Sequence, residues 1–210
     1  MSDSPLSRFA APIAIVGGAL VVVTRLVSLT VPTEVGLLKA YVLTATHAIN
    51  SVASIVAFAL LALALVAAYD REARPAGTLG VVAFGAAIVG TVFMAGDWWF
   101  EAFAVPRIAE VAPQVMDTFV GGRLLMGGLL SFALFGLGWA LFGIASLRAR
   151  VFPAAISVAI LAGGLLSGVP IGIAYLTGGV ILGLAMVWLG AWMVRTTAAA
   201  TATGEQVEAR

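Results

Sequence analysis

Six stretches of this chain are so long and so apolar that water is the wrong solvent for them. They run from about Phe9 to Val31, Tyr41 to Tyr69, Leu79 to Val105, Thr118 to Leu147, Pro153 to Gly168 and Pro170 to Val194. A helix that crosses a membrane needs about 20 such residues. The second, third and fourth stretches exceed that length and have room to tilt. The fifth, at about 16 residues, crosses only if the bilayer thins, or else re-enters. Period-2 alternation is absent, which argues against a barrel, and a helix satisfies every backbone group within its own segment. The chain is 62% hydrophobic and 10% charged, with a mean hydropathy of +1.12, against about 25% charged in a soluble domain. The expected fold is therefore all-α: a polytopic bundle of six transmembrane helices, residues 1–195, in one domain.

Breaks between the stretches carry turn residues: Pro32, Arg74-Pro75-Ala76-Gly77, Pro106 to Pro113, Phe152-Pro153 and Val169-Pro170. Basic residues then set the orientation. With six spans, Arg8, Arg71, Arg74, Arg148, Arg150, Arg195 and Arg210 fall on one side, and only Lys39 and Arg107 on the other. Both termini are thus expected in the cytoplasm, the protein in the cell membrane, and five spans would misplace Arg195. The first stretch runs straight into Arg25 with no small-residue cleavage site, so it reads as an uncleaved span. Residues 196–210 read as a disordered cytoplasmic tail. A net charge of +1 gives no general pull on nucleic acid. With no cysteine, disulfides, thiolate catalysis and cysteine-ligated metal sites are excluded.

Against this background the ionisable residues inside the apolar stretches stand out, because such groups are costly in hydrocarbon and by default mark function. Asp97 and Glu101 lie one helical turn apart in the third stretch. Arg25, His47, Arg123 and Tyr175 fall on the first, second, fourth and sixth. At 1.5 Å per residue, all six lie roughly 6 to 12 Å from the outer end of their helices. His47, Asn50, Ser51 and Ser54 share one helical face at i, i+3, i+4 and i+7. Arg25, His47, Asn50, Asp97, Trp98, Glu101, Arg123 and Tyr175 are therefore the candidate polar cluster.

Three roles fit such a cluster. Two acids and two arginines can pair and staple the helices together. The groups can form a ligand-binding or proton-handling pocket. They can also snorkel to the interface. His47, the one histidine, suits a hydrogen bond to Asn50 or a neighbouring helix, a proton relay beside the acids, or a metal site with Asp97 and Glu101. No metal-ligand spacing, phosphate loop, dinucleotide fingerprint or nucleophile elbow is present, so no catalytic residue, metal or cofactor is assigned.

The remaining aromatic and small residues read as membrane packing. Trp98 and Trp99 lie near the outer interface and Trp192 near the inner one; of the first two, one must turn from lipid and line the pocket. Trp139 and Trp188 are expected to pack deeper. Gly172, Gly179, Gly183 and Gly190 on the sixth stretch, and Gly121, Gly128, Gly136 and Gly143 on the fourth, permit close helix contact within the chain or with a second copy.

The run Leu147-Arg148-Ala149-Arg150-Val151-Phe152-Pro153 between two apolar stretches resembles a cytoplasmic turn of small six-span bacterial membrane proteins of the DUF4386 type. Gly96-Asp97-Trp98-Trp99-Phe100-Glu101-Ala102-Phe103-Ala104-Val105-Pro106 is similar to segments of actinobacterial membrane proteins. The resemblance implies six helices and supplies no activity. The expected function is thus a multi-pass membrane protein, non-enzymatic, with an outward-facing polar pocket for a small or lipidic ligand or a partner. The alternatives are a proton-coupled carrier using Asp97, Glu101 and His47, and an intramembrane enzyme using a carboxylic acid.

Overall fold

The computed structural model describes residues 5–32, 34–118 and 122–208, without the side chains of residues 5–8, 35, 118 and 197–208. Among these residues there is no strand, and the fold is all-α as expected. Helix α1 spans Pro5–Val27, α2 Val35–Tyr41, α3 Ala45–Trp99, α4 Val105–Val111, α5 Gly122–Ala149, α6 Ala154–Ser167 and α7 Gly172–Glu208. Four helical stretches are long and apolar enough to cross a membrane: Phe9–Thr30, Ala45–Val111, Gly122–Ala149 and Gly172–Thr196. At 14 residues α6 is shorter. Helix α7 continues to Glu208, past the expected end at Val194. Gly121 and Arg210 lie outside the described residues.

The second of the four stretches contains two of the expected segments. Helix α3 is interrupted at Gly77, whose φ of 57° and ψ of −147° suit glycine alone. There the chain folds back. The rings of Tyr69 and Phe84 stack with centroids 4.3 Å apart, whereas fifteen residues of straight helix would put them about 22 Å apart. Residues 45–76 and 78–99 are therefore two antiparallel arms.

The arms join the other helices in a closed ring. Helix α1 packs on α3 and α7, α3 on α5, α5 on α6, and α6 on α7. Glycines set the close approaches. A methyl group added at Gly138 of α5 would lie 2.5 Å from the Ala86 carbonyl oxygen, and one at Gly164 of α6 would lie 2.8 Å from the Ala140 backbone nitrogen. Gly183 and Gly190 likewise meet α1, and Gly136 and Gly143 meet α6, so these glycine faces are spent within the chain. Gly128 and Gly172 meet nothing.

Leu61, Leu65, Trp139, Phe142, Leu182 and Met186 fill the middle of the ring and are fully buried. The indole of Trp139 donates to the Thr91 hydroxyl at 2.9 Å, and that hydroxyl donates to the Ala87 carbonyl at 2.7 Å. This satisfies the one polar atom the indole brings into the core. Outward-facing residues are also apolar, among them Val56, Val82, Val92, Leu137 and Leu184. Trp188, expected to pack inside, is half-exposed on this surface. Helices apolar on both faces belong in lipid.

Two consequences are measurable. Gly138→Val forces a side chain into the Ala86 backbone, and overpacking of this kind costs about 1–3 kcal/mol or more. Its melting temperature in detergent should fall well below that of Gly85→Val, since a methyl at Gly85 meets nothing within 4 Å. The second concerns Glu72, in the charged last turns of the first arm, past the apolar stretch that ends at Tyr69. It is fully buried, and burial pushes its carboxyl up to about 7 against the opposing influence of the Ser146 hydroxyl. A raised folded value means that charging Glu72 opposes folding, with no cost below the ordinary carboxyl range and a full cost above about 7. Glu72→Gln should therefore raise stability by on the order of 1–3 kcal/mol at pH 8 and hardly at all at pH 4. Equal effects at the two pH values would contradict this.

Candidate functional site

The first turns of α3 start from Thr44, whose hydroxyl caps the helix by accepting the His47 backbone N–H at 3.2 Å. That start fixes the face carrying His47, Asn50, Ser51 and Ser54, and all four side chains are buried. The i, i+3, i+4, i+7 spacing located this face correctly. Opposite it, the last turn of α1 presents Arg25, and the 3-10 turn that follows presents Ser28. The Asn50 amide donates to Ser28 Oγ at 3.3 Å, and Ser28 Oγ donates to the Thr24 carbonyl at 2.8 Å.

Arg25 occupies the centre of this end of the ring and is 1% exposed. Its Nη2 donates to Ser54 Oγ at 3.0 Å, while Nε and Nη1 have no partner among the described residues. The guanidinium carbon lies 4.5 Å from the ring centre of Trp98, 4.8 Å from that of Tyr175 and 5.8 Å from that of Phe58. Aromatic faces attract a desolvated cation, by about 2 kcal/mol in favourable cases. Gly179 makes room for the stem: a methyl there would stand 2.6 Å from Arg25 Cγ.

No ion pair joins Arg25 or Arg123 to Asp97 or Glu101 among the described residues. The expectation that these four charges staple the helices is therefore corrected. Trp98 is next to Asp97 on the helix, about 100° around it, and it is the indole that meets the guanidinium. Arg123 is exposed. Glu101 Oε2 is 3.9 Å from His47 Nε2. Among the described residues no three potential ligands gather to hold a metal ion.

The helix carrying Asp97 and Glu101 widens into a π-turn over Phe100–Ala104. Pro106 has no N–H to offer the Ala102 carbonyl, so the regular ladder fails there. The Val105 N–H instead bonds Phe100 O, five residues back. In this widened turn the Glu101 carbonyl is free to accept from His47 Nε2 at 2.9 Å. A carbonyl only accepts, so Nε2 carries a proton, and the tautomer this selects keeps its lone pair on Nδ1.

Between these groups lies a cavity of about 900 Å³. His47, Asn50, Asp97, Trp98, Glu101, Arg123 and Tyr175 all line it, so seven of the eight residues expected to cluster do so. The eighth, Arg25, lies behind Trp98 and Tyr175 and is not part of the wall. Trp98 is half-buried and faces inward, while Trp99 is 57% exposed, as one of the two had to be. The rest of the wall is apolar and includes Leu29, Leu38, Val42, Met94, Phe132 and Leu176.

The roof of the cavity is built from the connections between expected spans together with the adjoining ends of the second and third. Val42, Val105, Ala109 and Met116 form a small buried cluster with Leu38, Phe100 and Ile108 packed on it. Lys39 Nζ of α2 pairs with Asp117 at 2.7 Å in the 3-10 turn Pro113–Thr118. The apolar spacing of Leu38, Val42 and Met116 was the available signal, but short amphipathic turns have weak periodicity.

Replacing Arg25 discriminates between a staple and a tolerated charge. A buried ion pair that loses one partner costs about 3–5 kcal/mol, whereas losing one hydrogen bond and the aromatic contacts of a desolvated cation costs about 1–2 kcal/mol, offset in part by removal of the buried charge. Arg25→Met should therefore lower the melting temperature only slightly. A large fall would restore the ion-pair account. Comparison of the chain with protein-family models, with curated proteins and with solved structures finds no match.

Proposed function

We propose that this is a six-span protein of the cell membrane, with both termini in the cytoplasm, whose cavity at the outer end holds a small or lipidic amphiphile. The observation that carries the reading is a cavity of about 900 Å³ that is mostly apolar and counts among its polar groups His47, Asn50, Asp97 and Glu101 on α3 and its π-turn, Arg123 on α5 and Tyr175 on α7. Binding sites for small molecules typically measure about 300–1,000 Å³ and place a few polar groups in an apolar wall. The span count is supported by the fold-back at Gly77 and by the closed ring of α1, two arms of α3, α5, α6 and α7. Helix α6 is then the short span. The arginine distribution supports the orientation.

A carrier that couples protons to transport is the second reading, favoured by the 3.9 Å approach of His47 Nε2 to Glu101 Oε2. It would need a polar route through the bundle. The layer of Leu61, Leu65, Trp139, Phe142, Leu182 and Met186 fills that route with fully buried side chains. Binding from one side is the reading this packing supports.

Filling the cavity tests the proposal. Gly128 lines it, and a methyl there meets nothing within 4 Å. Gly128→Trp should fold with wild-type stability and lose small amphiphiles that co-purify with the wild type, as read by native mass spectrometry of both proteins. Identical bound species in the two would count against the cavity as the binding site.

A further inference from the structure

We propose that the amphiphile is a lipophilic monocation: an organic amine, protonated or quaternary, carrying an apolar tail. The proposal rests on the reading of the cavity as an amphiphile site and names the chemical class that site selects.

The polar groups presented to the cavity are mostly acceptors; the exceptions are the exposed Arg123 guanidinium and the hydroxyls of Tyr41 and Tyr175, which can also accept. Asp97 and Glu101 line it with half-buried carboxyls and have no arginine paired to them among the described residues. His47 spends its N–H on the Glu101 carbonyl, leaving Nδ1 of the neutral ring with its lone pair. Asn50 is 5% exposed; its amide nitrogen is used on Ser28, and its Oδ1, buried at the wall, has no partner. A buried acceptor left unpaired costs about 1–3 kcal/mol, so its persistence here points to a donor that arrives from outside. An anionic headgroup would face two carboxylates and two lone pairs. An ammonium group finds acceptors in the same places.

Charge balance gives the same answer. With both carboxyls ionised, Asp97 and Glu101 outnumber the one buried cation at this end, Arg25. The nearby pairs Lys39–Asp117 and Arg107–Glu110 are closed on themselves, and Arg123, which also lines the cavity, is exposed. Among the buried and half-buried groups, one negative charge is then left for the ligand to neutralise. The unspent donors of Arg25 do not reverse this preference, because Trp98 and Tyr175 lie between them and the cavity.

Three probes of one tail length test the class: decyltrimethylammonium, decanol and decanoate, each added to the protein in a neutral sugar-headgroup detergent. The readout is the shift in melting temperature relative to Gly128→Trp, which removes effects of the probes on the micelle. The expected result is a cavity-dependent rise of several degrees with decyltrimethylammonium, a smaller rise with decanol and none with decanoate. In D97N/E101Q the cation should lose its advantage over decanol while decanol keeps its own effect. A rise with decanoate equal to or above that of the cation would overturn the proposal, as would an undiminished cation effect in D97N/E101Q. Decanol acting as well as the cation would sink the cationic class and leave the amphiphile site standing; no cavity-dependent effect of any probe would sink both. Should D97N/E101Q not fold, the ranking of the three probes on the wild type decides the matter.

Discussion

A guanidinium held without a carboxylate is the interaction around which one end of this bundle is organised. Arg25 is buried among Phe58, Trp98 and Tyr175 and makes one hydrogen bond among the described residues, to Ser54. These residues come from three parts of the ring: Ser54 and Phe58 from the first arm of α3, Trp98 from the second arm, and Tyr175 from α7. A glycine on α7, Gly179, supplies the space through which the arginine stem passes. The cation therefore draws three helical segments together on α1 by its attraction for aromatic faces, and it leaves both acids of the site facing elsewhere.

That division explains the chemistry of the cavity. Had Arg25 paired with Asp97, the acids would be spent on structure and the wall would be neutral. Trp98 instead stands between the guanidinium and the cavity, covering one and lining the other. The π-turn completes the separation. It frees the Glu101 carbonyl to hold His47 in one tautomer, and it keeps the Glu101 side chain beside the cavity. Widened turns of this kind recur at functional sites because they release backbone groups from the helical ladder.

The sequence made the depth of the site legible and hid its pairings. Arg25, His47, Asp97, Glu101, Arg123 and Tyr175 could be brought to one end of the bundle by topology and helical rise alone, and the structure places them there. The buried face of His47, Asn50, Ser51 and Ser54 followed from periodicity. Partner choice could not be read in the same way, because a rotation of about 100° decides whether Asp97 or Trp98 meets Arg25, and that rotation is set by packing of whole helices. The hairpin at Gly77 was visible as a turn, though its backbone geometry was not. The roof was missed for a different reason. Helix α2 has only seven residues, too few for a periodic signal, and the Lys39–Asp117 pair joins segments far apart in the chain.

The same packing bears on which direction a ligand travels. Beneath the cavity the ring is closed by Trp139, Phe142 and four aliphatic or thioether side chains, all fully buried, and the indole N–H of Trp139 is already held by Thr91. Opening a path through this layer would unpair that N–H and separate close helix contacts at Gly138 and Gly164. The roof is of another kind. It consists of a small cluster, short helical turns and one partly exposed ion pair, and exposed pairs contribute only about 0–1 kcal/mol. Local opening draws on segments with few buried contacts, so the roof opens at far lower cost than the layer beneath. On the proposed function, a ligand of this cavity therefore leaves by the way it came, because passage through the bundle is opposed by this fully buried layer.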